Sequence, residues 1–384
     1  MSSDPGEIVA DAVSRGVVPG AVLRYGRGAD GPVRGGAFGA FGAASRTSGS
    51  ADPVDATDPA DAADPAGADV VYDLASLTKV TATLPLVLRL VADGRIALDD
   101  PVVRYLPGFA AGDTITVRHL LSHSSGLPAH REVWRLPGTA EDRFAVVLAE
   151  PPEAAPGTVV RYSDLGFILL GRIVADVTAQ PLDQAFAELV AAPLGLASTG
   201  YRPAGGAAPT EANWFDDPAR QDPKTGVVHD ENAESLGGVA GHAGLFGTAD
   251  DVAAYLTAGW LAADSPILDP AIRAEALRCQ TAGLAGVRGL GWTLRGDSYD
   301  FMSEAWPRAG AGHTGFTGTS AAFDPESGIW CVLLTNAVLF GRGNRTRELR
   351  RTLHAAVAAE FGVASPTVLN GESGRAPSGS RISA

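Results

Sequence analysis

The chain has 384 residues, 45% of them hydrophobic, and a formal net charge of −14. It is long enough to bury an enclosed site, and its charge disfavours a nucleic-acid backbone, whose binding draws on clustered Lys and Arg. Cys279 and Cys331, its two cysteines, offer neither a disulfide framework nor metal-ligand spacing and read as small buried apolar residues.

The first thirty residues lack a basic segment, a long apolar core and a small-residue cleavage site, and no stretch holds 18 consecutive apolar residues, so the expectation is a cytoplasmic protein with no membrane segment. Residues 7–15, "EIVADAVSR", fit a short amphipathic helix. Gly20 then opens "AVLRY", which with "GGAFGAFGAA" predicts two antiparallel strands. Residues 45–69 repeat Asp-Pro and Ala, carry Asp at 52, 55, 58, 61, 64 and 69, and predict a solvated acidic surface loop. Much of the −14 therefore belongs to that loop. From 76 to 92, Val80, Leu84, Val87, Leu88 and Val91 recur at helical spacing and end at Asp93-Gly94. The middle of the chain, to about 285, alternates helical patterns with long loops. There "DDVAAYLTAGWLA" follows Thr248, with Asp251 three residues on, a capping-box pattern. From "GLGWTLRG" the character turns to strands, with "TSAAFDP" and "GIWCVLLTN" joined by an Asp-Pro-Glu-Ser-Gly turn. A closing helix buries the line Leu349, Leu353, Val357, Phe361, and the Ser-, Gly- and Pro-rich tail, 365–384, is expected to be disordered. Strands near both chain ends imply one domain over 1–364. Its sheet comes from about 5–75 and 286–363, a helical lobe is inserted over about 76–285, and the site lies in the cleft between them.

"VVYDLASLTKVTATL" places Ser76 and Lys79 three apart at the start of the 76–92 helix. A lysine is a rare choice here, since only Lys79 and Lys224 are lysines among 30 Lys plus Arg, although coding bias explains most of that scarcity. A serine in the first helical turn gains a backbone N–H field that favours an oxyanion. A lysine one turn later shares its face and can take the hydroxyl proton if burial lowers its pKa. The plainer account, an N-cap serine and an exposed lysine, explains Ser76 well and Lys79 poorly.

Two further segments bear on that choice. "PGTVVRYSDLGFILLG" sets Tyr162, Ser163 and Asp164 before an apolar helix, and "GAGHTGFTGTSAAFD" sets His313, Thr314 and Gly315 before a strand. This order resembles the Ser-x-x-Lys, second-box and Lys-Thr-Gly triple of the serine β-lactamase and penicillin-binding-protein superfamily, specifically its class C-like serine hydrolases. The resemblance spans nearly all of 5–363. It implies a mixed α/β (α+β) fold of the β-lactamase/transpeptidase type, with an antiparallel sheet flanked by helices. It makes Ser76 the acylated nucleophile, Lys79 its base and Tyr162 the second acid-base group. Backbone N–H groups of Ser76 and Phe316 would form the oxyanion hole. Asp164 stands where the family has Asn and His313 where it has Lys. An ionised Asp164 accepts hydrogen bonds only and favours a charged Lys79. His313 is a weaker anchor for a substrate carboxylate than lysine, which weighs against β-lactam turnover.

Other matches carry less. Lys224-Thr225-Gly226 follows Asp-Pro in the middle lobe, without the terminal hairpin and helix, and reads as a turn. The Gly-x-Gly-x-x-Gly matches at Gly26 and Gly310 open no helix. His229, Asp230, Glu231 and His242 lack metal-site spacing, so "LGGVAGHAGLFG" reads as a glycine-rich loop that brings backbone to the cleft. His123 and the remaining histidines read as structural or exposed. The expected activity is acyl transfer on an ester, amide or peptide bond of a small substrate, as an esterase or D-amino-acid amidase or peptidase. No cofactor, metal, nucleic acid or membrane is implied. A β-lactamase or D,D-peptidase is the alternative, and a non-catalytic binding protein is disfavoured by the joint presence of Ser76, Lys79 and Tyr162.

Overall fold

The computed structural model describes residues 3–39, 67, 69–217, 219–343 and 345–363. The acidic segment 45–69, apart from 67 and 69, and the tail 365–384 lie outside the described residues.

A six-stranded antiparallel sheet runs in the order β2-β1-β9-β8-β7-β6. Its strands are β1 (Gly20–Arg27) and β2 (Arg34–Gly39) from the N-terminal segment, then β6 (Thr293–Leu294), β7 (Ala311–Thr314), β8 (Ser320–Phe323) and β9 (Ile329–Thr335) from the C-terminal one. β9 is buried along its whole length, which its unbroken apolar run requires of a strand covered on both faces. Alternation assigns the two faces. Ile329, Cys331 and Leu333 pack with Val9, Leu353 and Val357 from the helices Pro5–Ser14 and Thr346–Glu360. Trp330, Val332 and Leu334 join the larger core of the helical lobe. The predicted line on the closing helix is thus an apolar stripe, and truncating its fully buried Leu353 to Ala would cost about 2–5 kcal/mol.

Three features depart from or add to these expectations. The "GLGWTLRG" segment pairs only at Thr293–Leu294, because Gly289 and Gly291 turn the chain there, Gly291 at φ +73°. His313 and Thr314 do more than precede the strand β8: they lie within a strand of their own, β7, in register with Ala321 and Ser320. A second sheet, β3 (Tyr72–Asp73), β5 (Leu245–Gly247) and β4 (Gly200–Tyr201), in the order β3-β5-β4, was not anticipated. Strands of two or three residues show no period, so nothing in the sequence announces them. The capping box at Thr248 is half formed. Thr248 accepts from Asp251 N, while the Asp251 carboxylate turns away to Ser198 N and Thr199 Oγ1.

Candidate active site

β3 delivers the chain to Ser76. Asp73 accepts from Ala75 N at 2.8 Å and from His229 N at 2.6 Å, and Ala75 is held at φ +47°, a strained position for a side-chain-bearing residue. The helix begins at Leu77, so Ser76 occupies the turn before it. One element differs from the expected plain α-helix. Lys79–Thr83 is π-helical before Leu84–Ala92 continues as α-helix. Pro85 explains it, since a proline lacks the N–H for the Thr81 carbonyl and its ring pushes that carbonyl away. The widened turn lies directly under the nucleophile, a common place for such bulges.

Lys79 is fully buried. Its Nζ donates to Ser76 Oγ at 3.0 Å and to the His242 carbonyl at 3.0 Å, lies 2.8 Å from Asp164 Oδ1, and faces the Tyr162 ring at 4.9 Å. The glycine-rich loop makes this contact possible. A Cβ on Gly241 would sit 2.0 Å from the Phe167 carbonyl, and the Gly241 carbonyl accepts from Thr83 Oγ1 at 2.7 Å. Burial works against the Lys79 charge, but Asp164 outweighs it and holds the ammonium above the ordinary lysine value. Burial likewise opposes the Asp164 carboxylate, yet Lys79 and His130 hold it well below the usual range. Burial raises the Tyr162 phenol, with Lys79 pulling the other way.

Asp164 opens the helix Asp164–Thr178, capped by Ser163. Ser163 N donates to His123 Nδ1 at 3.1 Å, and the His123 ring lies 4.5 Å from that of Tyr162. His123, following the short helix Val117–Leu121 at φ +56°, is therefore more than a helix-closing residue: it supports the Tyr162 segment. Burial keeps it neutral, which leaves Nδ1 free to accept.

His313 donates from Nδ1 to the Thr314 carbonyl at 2.8 Å, and burial pushes its pKa down to about 3. The turn after it is fastened to the nucleophile segment by Thr317 Oγ1 to the Asp73 carbonyl and Thr319 Oγ1 to the Leu74 carbonyl, at 2.7 and 3.2 Å. Gly315 permits the approach, since a Cβ there would lie 2.1 Å from Thr319 Oγ1 and 2.5 Å from the Leu74 carbonyl. Among the described residues neither Ser76 N nor Phe316 N has a hydrogen-bond acceptor. Both remain available to an oxyanion.

The cleft that Ser76, Tyr162, His313, Thr314, Gly315 and Phe316 line has a volume of about 690 Å³. Asp164 lies behind Lys79 and does not line it. The geometry joins a nucleophile, a cation beside it, a phenol and two unused N–H groups, the components of acyl transfer. Two groups escaped the sequence reading. His130, one of the histidines that read as structural or exposed, is exposed, and its Nδ1 lies 3.5 Å from Asp164 Oδ2. Among the described residues, five arginines, 161, 288, 342, 347 and 350, line the cleft and no Asp or Glu does. No local pattern marks either group, because the residues come from separate segments.

The decoys resolve into structure. Lys224, read as a turn residue, is buried in its loop, its Nζ 2.6 Å from Glu234 and outside the cleft. His229 pairs with Glu211, His242 with Asp230 and Glu231 with Arg342. Among the described residues no group of three or more His, Cys, Asp or Glu could hold a metal. Cys331 is buried and Cys279 only partly so.

Comparison with known proteins agrees with this geometry. The Beta-lactamase family profile matches residues 11–356. A protein of Escherichia coli (strain K12) named as a D-alanyl-D-alanine carboxypeptidase is 34% identical over 312 residues, covering 71% of this chain and 70% of its own. Among solved structures, EstCE1, a hydrolase with promiscuous acyltransferase activity, superposes with a TM-score of 0.68 at 24% identity over 91% of this chain and 97% of its own. The octameric penicillin-binding protein homologue from Pyrococcus abyssi does so with a TM-score of 0.68 at 20% identity, over 93% and 77%.

Proposed function

The chain belongs to the beta-lactamase family and is a serine hydrolase, and we propose that it cleaves small ester, amide or peptide substrates that bear a free carboxylate, a terminal D-amino-acid peptide bond among them. Arg350 is the observation that carries this reading. It is buried at 7% exposure, lines the cleft, and among the described residues has no carboxylate partner. Its guanidinium touches only the Gly315 and Thr319 carbonyls, at 3.4 and 3.1 Å, and its Nε has no partner. Burial pushes its pKa down to about 10, so it remains charged at neutral pH. A buried cation without an anion is costly, and a substrate carboxylate relieves that cost by a charge-assisted bond. Arg347, one turn earlier on the same helix, also lacks a carboxylate partner among the described residues. The charge missing at His313 is thus available from the closing helix. The curated relatives carry the same bond type in their name.

In the proposed reaction Ser76 Oγ attacks the carbonyl, Lys79 takes its proton, and Tyr162 passes a proton to the leaving group. The Ser76 and Phe316 N–H groups receive the oxyanion, and water then releases the acyl group. The test compares kcat/KM for a D-alanyl-D-alanine peptide, its C-terminal amide, a chromogenic cephalosporin and a simple aryl ester, in the native protein and in Arg350→Gln. The free acid should exceed the amide at least about tenfold, a gap equal to one ordinary charged hydrogen bond, and the variant should erase that gap with the aryl ester as control. Equal rates on acid and amide would refute the carboxylate.

A further inference from the structure

We propose that Asp164 and His130 form a proton outlet for Lys79, moving a proton from the buried ammonium to a solvent-facing imidazole so that the amine can act as base toward Ser76. The proposal rests on the serine-hydrolase chemistry at Ser76 and not on the carboxylate-bearing substrate. Asp164 creates the difficulty that the outlet resolves. It holds Lys79 charged, and a charged ammonium cannot accept the Ser76 proton.

The contacts run in one line outward: Ser76 Oγ to Lys79 Nζ at 3.0 Å, Nζ to Asp164 Oδ1 at 2.8 Å, and Asp164 Oδ2 to His130 Nδ1 at 3.5 Å. Side-chain exposure rises along it, from 0% at Lys79 through 18% at Asp164 to 45% at His130. An asparagine at 164 could not carry a proton along this line, whereas a carboxylate can.

The step balances without any co-reactant. An N–H bond of Lys79 breaks and an O–H bond forms on Asp164. A half-turn of the carboxyl group about its broad two-fold torsion presents that proton to His130 Nδ1. The O–H bond then breaks as the N–H bond of the imidazolium forms. Lys79 is now neutral, Asp164 is again an anion, and the positive charge has moved to His130. Attack by Ser76 returns a proton to Lys79, and His130 releases its own to water. An unperturbed ammonium outranks an imidazole as a base by about four powers of ten. Asp164 pairs with the charge in both places and raises Lys79 and His130 alike, so the neutral amine is a minor state that attack by Ser76 draws on, reached as the charge moves from a fully buried nitrogen to a half-exposed ring.

The groups facing His130 are Asp164 from the helix Asp164–Thr178 and Asn232, whose amide nitrogen is 3.5 Å from both ring nitrogens, from the helix Glu231–Ser235. Asp230 and Glu132 act on it through space. Asp164 raises His130 above the ordinary histidine value against the opposing effect of burial. A protonated His130 cannot accept, so activity should rise with pH through the His130 ionisation.

The experiment is the pH profile of kcat/KM for an aryl ester in the native protein, His130→Asn, Asp164→Asn and the double variant. If no ester is turned over, the rate of fluorophosphonate labelling at Ser76 is measured over the same pH range. The acid limb should vanish or move by more than about one pH unit in His130→Asn, with a rate loss of about 10- to 100-fold, below the roughly 10²- to 10⁴-fold typical of a direct general acid-base group because His130 acts through Asp164. His130→Asn should add nothing in the Asp164→Asn background, because the outlet is already broken there. His130→Gln, with its unfolding midpoint measured, separates this from a folding defect. A native-shaped profile in His130→Asn, or the same loss with and without Asp164, overturns the proposal. Label on a serine other than Ser76 overturns it by a distinct route.

Discussion

Lys79 and Lys224, the two lysines of the chain, are both enclosed and each faces one carboxylate, Asp164 at 2.8 Å and Glu234 at 2.6 Å. Their neighbours differ. Lys79 Nζ also meets a serine hydroxyl and the face of a tyrosine, whereas Lys224 Nζ meets the Val228 carbonyl and lies 5.8 Å from the Trp214 ring. A buried lysine–carboxylate pair is therefore no signature of catalysis here, and the nucleophile and phenol on the same nitrogen make the difference. The following residues reinforce the contrast. Lys224-Thr225-Gly226 matches the third family box in letters and lies outside the cleft, whereas His313-Thr314-Gly315 departs from it and lines the cleft.

The sharpest way to break this comparison is to remove each amine. Lys79→Ala should lower kcat on an aryl ester by about 10²- to 10⁴-fold, and Tyr162→Phe by a loss in the same range. Lys224→Met should leave kcat near native but destabilise the fold by about 1–3 kcal/mol, because the partly buried Glu234 loses its ammonium partner and is left with the Phe215 N–H. Adding Glu234→Leu should recover most of that stability. Denaturant unfolding and steady-state rates on the four proteins decide the matter, and a collapse of kcat in a folded Lys224→Met would reverse the assignment.

The contrast also shows what a sequence can carry. Ser76 and Lys79 are legible because one helical turn joins them, and the closing helix because its four-residue spacing survives as a buried stripe. Tyr162 and His313 are placed by resemblance, since only the folded chain brings residues 76, 162 and 313 together. Arg350 was invisible because it reads as one more arginine on the polar side of a helix. His130 was invisible because its partner, Asp164, is 34 positions away. The β3-β5-β4 sheet was hidden by the brevity of its strands, and the π-helical turn by its dependence on Pro85 within an otherwise helical pattern.

The glycines that close the two triplets give a smaller and cleaner comparison. Gly315→Ala places a methyl group 2.1 Å from Thr319 Oγ1 and 2.5 Å from the Leu74 carbonyl, and the backbone carrying Phe316 N must shift. Displacing one oxyanion donor without deleting it should lower kcat by about 10- to 100-fold, below the loss seen on removing a donor outright, with KM little changed. At Gly226 the nearest atom to an added Cβ is the Gly205 carbonyl at 3.4 Å, although φ is +71°. Gly226→Ala should therefore reduce stability by about 1 kcal/mol through backbone strain and leave kcat alone. Similar rates for the two variants would mean that the 315–319 turn does not hold the oxyanion site.

The smallest effect follows from the residue that replaces lysine in the working triplet. Burial depresses His313 to about 3, while an unfolded histidine titrates near 6.5. Between those values the unfolded chain binds a proton that the folded chain does not, so the contribution of His313 is complete above about pH 6.5 and is lost as pH falls toward 3. From pH 7 to 5.5 the loss amounts to about 1 kcal/mol for each such histidine, and His354, held at about 4 by burial, adds a like amount. Urea unfolding at the two pH values should show this acid lability in the native protein, and His313→Gln should reduce the difference by the share of one histidine. An unchanged difference in His313→Gln would mean that the imidazole is not held neutral in the folded state, and that it could anchor a substrate carboxylate after all.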